Sequence, residues 1–140
     1  MRIIILLIIF LLAAPFFASA SMMGRVIEEQ EIRDFVPQPV LLQPRGEKVV
    51  LTGKDTLEFT WSPHEGNHMN RRCYDFRLYK GYDMYEKNLI FKEEVAPNIS
   101  SKKIDSKKFE NGQTYTWSLR QMYDDSSKSQ KSYHSFKVIK

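Results

Sequence analysis

An antiparallel β-sandwich is the fold class this sequence predicts, and three observations predict it. Beyond residue 20 the chain contains a single alanine, Ala96, and only seven leucines, so the best helix formers are nearly absent. All its aromatic residues except Phe10, Phe16 and Phe17 lie in that same stretch, and aromatics favour strands. Short runs of alternating apolar and polar residues recur roughly every ten positions, with turn residues between them. A helical bundle, a collagen and a multi-pass membrane protein are excluded by composition. One cysteine, Cys73, excludes an internal disulfide, so the core must hold the domain together.

The first twenty residues read as an address. Met1-Arg2 gives a positive start, Ile3 to Phe17 is apolar apart from Pro15, and Ala18-Ser19-Ala20 is a small-residue cleavage site. This predicts a secretory signal peptide over residues 1–20, cut after Ala20, and hence an exported chain placed in the periplasm, at the cell surface or outside. The rival is an uncleaved membrane anchor, since about 18 apolar residues can just span a bilayer. Membrane contact is expected only in that case. Loss of Arg2 lowers the net charge from +4 to +3, too small and too mixed in sign to point to nucleic acid.

Residues 21–36 form a polar arm or linker in which Glu28, Glu29, Glu31, Arg33 and Asp34 crowd together. The arm is a candidate docking segment for a partner. Pro37, Pro39 and Pro44 exclude a helix and suit an edge strand, so the folded domain is placed at 37–140. The expected strands are a short one at Val40 to Leu42, then Lys48 to Leu51 and Thr56 to Ser62, with Leu57, Phe59 and Trp61 on one face. Cys73 to Tyr79 follows, with Tyr74, Phe76 and Leu78 inward and Asp75, Arg77 and Tyr79 outward. Then come Leu89 to Val95, a short strand at Ile104, and Thr114 to Met122 with Tyr115, Trp117 and Leu119 inward. Tyr133 to Ile139 closes the domain with Phe136 and Val138 inward. These seven or eight strands predict two sheets, each with one face in the core and one in water.

Two stretches resemble a known family. TLEFTWSPHEG, Thr56 to Gly66, is similar to the second strand and following loop of bacterial fibronectin type III-like domains. FENGQTYTWSLR, Phe109 to Arg120, is similar to their turn before the sixth strand and to that strand. The resemblance implies that Trp61 and Trp117 are core residues and that Tyr115 is a tyrosine corner, its hydroxyl reaching back to the backbone of the turn. Phe109 stands where the family usually has leucine. The resemblance reports fold rather than activity, and implies a spacer or an interaction module.

Three features are candidates for chemistry or binding. His64-Glu65-Gly66-Asn67-His68 matches H-E-x-x-H, the zinc-protease pattern in which two histidines on one helix face hold the metal and the glutamate activates water. Pro63 before the motif and Gly66-Asn67 inside it are poor helix interiors, so a solvated loop is expected and no metal site is assigned. The second feature is the tyrosine-rich segment Tyr79, Tyr82, Met84 and Tyr85, a candidate binding patch because tyrosines are rigid amphipathic contact groups. The third is the lysines: Lys102, Lys103, Lys107 and Lys108 around Ile104, with Lys128, Lys131, Lys137 and Lys140 near the C-terminus. They read either as a basic stripe for an anionic partner or as protection of edge strands.

No nucleophile motif, phosphate loop or paired carboxylates on one strand face stands out. The expectation is therefore an exported, non-catalytic module without a cofactor. It would bind another envelope or extracellular protein, or act as an adaptor or spacer. A glycan-binding module using Tyr79, Tyr82 and Tyr85 is the alternative, and a zinc-dependent hydrolase through His64, Glu65 and His68 the remote one.

Overall fold

The computed structural model describes residues 38–63 and 70–140. Residues 1–20, expected as a signal peptide, the arm expected at 21–36 and His64 to His68 of the H-E-x-x-H motif lie outside the described residues. Eight strands make two sheets. The three-stranded sheet orders β1 (Val40–Gln43), β3 (Thr56–Ser62) and β6 (Ser101–Asp105). The five-stranded sheet orders β2 (Lys48–Val50), β8 (Ser132–Ile139), β7 (Thr114–Tyr123), β4 (Arg71–Lys80) and β5 (Leu89–Val95).

One pairing departs from the expected antiparallel plan. β2 runs parallel to β8, with Val49 opposite Val138. The cause lies in the first strand, which is split: β1 pairs with β3, carries a bulge between Leu41 and Gln43, and then turns through Pro44, Arg45 and Gly46. The chain thereby changes sheets, and β2 comes to lie along the last strand. A strand that switches sheets at a bulge is a usual way to close a sandwich corner.

The core is aromatic. Leu57, Phe59, Trp61, Tyr74, Phe76, Leu78, Tyr115, Trp117, Leu119, Phe136 and Val138 are all buried. Phe59 stands at the centre, with ring centroids 5.3 Å from Phe76, 5.1 Å from Trp117 and 6.0 Å from Phe136. The edge-on approaches to Phe76 and Trp117 suit the aromatic quadrupole. Leu41, Leu51, Val95, Ile104 and Phe109 complete the cluster. Phe109 meets Tyr115 edge-on at 5.0 Å, so the larger ring fills the place of a leucine.

The turn before β7 explains the tyrosine. The Tyr115 hydroxyl accepts a hydrogen bond from the Glu110 backbone N–H at 2.8 Å. Gly112 adopts φ +79°, a conformation that side chains rarely take, and its N–H donates to the Val138 carbonyl at 2.7 Å. Tyr115→Phe deletes one buried acceptor and strands the Glu110 N–H. It is expected to cost about 1–2 kcal/mol in urea unfolding, and an unchanged midpoint would contradict this role.

The open edge between the sheets is closed by cations. Lys102 lies opposite Phe59 on the inward face of β6, an inward-pointing charge on an edge strand. Its Nζ pairs with Glu93 of β5 and stands 5.5 Å from the Phe91 ring centroid, while Lys108 Nζ stands 5.6 Å from the same centroid. Two lysines of the sequence's basic stripe therefore belong to this edge.

The prediction that each sheet keeps one wet face needs correction. On the outer face of the five-stranded sheet, Asp75, Tyr79, Thr116 and Ser118 are buried. Thr116 Oγ1 lies 2.7 Å from the Gly81 carbonyl oxygen and 2.7 Å from Ser135 Oγ. Arg77 folds back over Asp75 with Nε–oxygen distances of 3.0 and 3.1 Å. Long side chains and the turn after β4 thus cover the middle of this face. Cys73, also on β4, is buried and free, as a small apolar residue.

Candidate functional site

The tyrosine segment is divided by the structure. Tyr79, expected on the surface as part of the binding patch, is only 1% exposed. It stands in register between Leu89 of β5 and Thr116 of β7, so its ring packs into the covered part of the outer face. Tyr82 and Tyr85 are 72% and 62% exposed, and Met84 is half-buried. Their loop is fixed at both ends. Gly81 (φ +89°) donates to the Thr114 carbonyl at 2.8 Å, and Asn88 bonds the carbonyls of Asp83 and Tyr85 at 3.0 and 2.9 Å. Lys87 Nζ lies 5.8 Å from the Tyr85 ring centroid. Tyr82 borders a groove of about 440 Å³ with Lys48, Thr114, Ser135 and Lys137. With Tyr79 withdrawn, the three-ring line that the glycan alternative required does not exist.

Another exposed ring lies on the outer face of the five-stranded sheet, to which the Tyr82 groove belongs. Tyr133, 63% exposed, pairs with Ser118 of β7, which pairs in turn with Arg77 of β4. The strand alternation carries this signal: Phe136 and Val138 point inward, so Tyr133, Ser135 and Lys137 must point outward. Directly opposed residues share a face, and the register places Lys48, Lys92, Arg77 and Arg120 on it as well, against Asp75 and Glu94. The outer face of the five-stranded sheet is thus a cationic surface set with the exposed Tyr133 and, at its groove, Tyr82.

Its electrostatics centre on Asp75. Arg77 holds that carboxylate with a 3.0 Å ion pair and reaches the exposed Glu86 at 3.9 Å. The hydrogen bond to Asp75 raises the Arg77 guanidinium above its usual range, against the opposing effect of burial. Lys131 is pushed below the usual lysine range by burial first, then by repulsion from Arg120 and Arg77.

A second polar cluster lies at the end of β4 and β7. Gln121 is fully buried. It accepts from Arg71 Nη1 at 3.3 Å, donates to the Tyr123 hydroxyl at 2.9 Å, and its backbone N–H donates to Ser129 Oγ at 2.8 Å. Arg71 also lies over the Tyr74 ring, 5.3 Å from its centroid. Burial raises the phenols of both Tyr74 and Tyr123, and the Arg71 cation partly opposes it. The folded phenols keep their protons at pH values where the unfolded chain loses them. Stability is therefore present below the ordinary phenol value, about 10, and is lost as pH rises through the higher folded values. Tyr123→Phe is expected to flatten this alkaline decline in denaturation midpoints, and an unaltered profile would contradict it. These groups act within the fold, and no reaction is assigned to them.

His134, the one histidine among the described residues, places Nε2 3.1 Å from the Gly46 carbonyl and so ties β8 to the turn after β1. No group of three histidine, cysteine or acidic residues that could hold a metal occurs among the described residues.

No protein-family model matches the chain, and no curated protein matches it. Solved structures do. The fibronectin(III)-like modules of CbhA from Clostridium thermocellum are 18% identical, with 73% of this chain and 99% of that chain covered and a TM-score of 0.48. A β-1,2-glucanase from Parabacteroides distasonis is 17% identical over 74% of this chain and 13% of that chain, with a TM-score of 0.44. A fourth FNIII domain from human is 10% identical over 79% and 92%, with a TM-score of 0.43. The three-on-five strand order, the aromatic core and the Tyr115 corner make this a fibronectin type III-like fold.

Proposed function

We propose that this chain is an exported, non-catalytic interaction module that binds another protein of the cell envelope or extracellular space and so acts as an adaptor. The observation that carries the reading is the outer face of the five-stranded sheet. Tyr133, and Tyr82 at the groove, stand exposed there among cations, the composition of a surface that contacts protein. The sequence features of residues 1–20 support export.

Two measurements test the reading. Mass spectrometry of the exported chain is expected to find an N-terminus at Ser21, and retention of Met1 would refute cleavage. Gentle extraction of an epitope-tagged chain at native levels, followed by size-exclusion chromatography, is expected to show it co-eluting with one stoichiometric protein. Elution as a free monomer under those conditions would refute the adaptor role.

A further inference from the structure

Arg120 sits in an unbalanced position. It lies directly opposite Asp75 on the outer face, yet the Asp75 carboxylate is chelated by Arg77. The Arg120 Nε is buried without a hydrogen-bond partner. The β7–β8 register pairs Leu119 with Ser132, which brings Lys131 next to Arg120 on the adjoining strand. Three cations, Arg77, Arg120 and Lys131, therefore gather around one buried carboxylate that Arg77 already occupies, with the other acids, Glu86 and Glu94, exposed. Like charges at this spacing destabilise each other, and an incoming anion relieves them.

We infer that Arg120 and Lys131 form an anchor for carboxylate side chains of an acidic, extended segment of a partner protein, seated on the outer face beside Tyr133. Charge complementarity selects an anionic occupant, because Lys48, Arg77, Lys92, Arg120, Lys131 and Lys137 on this face outnumber Asp75, Glu86 and Glu94. The exposed rings select protein over a purely ionic ligand. Tyr133 offers flat apolar surface beside the anchor, which aliphatic or aromatic residues alternating with carboxylates can cover. The free donors of Arg120 suit a carboxylate, which a guanidinium can bind in bidentate fashion. The inference rests on the interaction-module reading and adds to it the site and the chemistry of the partner.

The test uses a decaglutamate peptide titrated into the isotope-labelled, exported chain, followed by amide NMR. The shifts are expected to gather at Arg77, Ser118, Arg120, Lys131 and Tyr133, and to weaken with salt over the range where surface charges are screened. Arg120→Gln is expected to weaken binding about tenfold, the loss of one charge-assisted contact. Asp75→Asn is expected to tighten it several-fold, because Arg77 is released toward the peptide. Opposite changes in two variants cannot both come from misfolding.

Shifts centred on Lys103 and Lys107, or an Arg120→Gln variant that binds as before, would overturn the site. Polygalacturonate binding as tightly as the peptide would overturn the choice of a protein segment. A peptide that binds elsewhere removes the anchor and leaves the interaction-module reading standing. A chain that leaves the cell as a free monomer removes that reading and, with it, the inference.

Discussion

Phe59→Ala is expected to cost about 3–5 kcal/mol, the range for deleting a large buried ring. Phe59 is 0% exposed and makes ring contacts with Phe76, Trp117 and Phe136, which lie on three strands of the opposite sheet. It is therefore, with Trp61, a side chain through which β3 grips the five-stranded sheet. The neighbours belong to regular strands and are too large and constrained to collapse into the void, so the cavity cost adds to the lost burial. With no disulfide to constrain the chain, and domain stabilities of about 5–15 kcal/mol, this is a large share of the total. The thermal midpoint is expected to fall by on the order of 20 °C. Phe59→Leu should retain most of the stability. A Phe59→Ala variant with a near-native midpoint would show that the two sheets are held together elsewhere.

Asp75→Ala carries the second large effect. The carboxylate is the buried acid among Arg77, Arg120 and Lys131, with Glu86 and Glu94 exposed beside it. Removing one partner of a buried pair typically costs about 3–5 kcal/mol. Arg77 is 22% exposed and can turn toward solvent, which lowers the expectation to about 2–3 kcal/mol. The remaining cations repel one another, so part of the loss should be recovered in high salt. Urea unfolding of the variant at low and high ionic strength checks both statements. A loss that is insensitive to salt would mean that packing, and not charge, gives Asp75 its importance.

Much of this fold was legible because its strands alternate. β3 was read with its observed bounds, and Leu57, Phe59 and Trp61 lie on the buried face that the period of two assigns them. The turn at Phe109 to Gly112 and the role of Tyr115 followed from the spacing of the family resemblance, and the Tyr115 to Glu110 bond gives that spacing its physical sense. The parallel pairing of β2 with β8 was not legible. It depends on a sheet switch at Pro44 to Gly46, which no single strand's pattern encodes.

Tyr79 was misplaced for a related reason. It continues the phase of Asp75 and Arg77, which in a half-wet sheet means solvent. Here the outer face is covered by contacts between distant residues, such as Thr116 with Gly81 and Ser135. The lysines divide in the same way. Lys102 shares the phase of Ile104, so its inward direction was readable, but its partners Glu93 and Phe91 lie on another sheet. The candidate site was only half visible from the sequence. Tyr82 and Tyr85 were found as a local cluster, whereas Tyr133 and Arg120 join them only through strand register.

Zero-length crosslinking of amines to carboxylates in intact producing cells reports whether the outer face of the five-stranded sheet is the docking surface. Crosslinks are expected from Lys131 and Lys92, with Lys48 and Lys137 at the groove, to aspartates and glutamates of a single other protein. Crosslinks that leave mainly from Lys54, Lys103 and Lys107, with Lys131 and Lys92 unmodified, would contradict it.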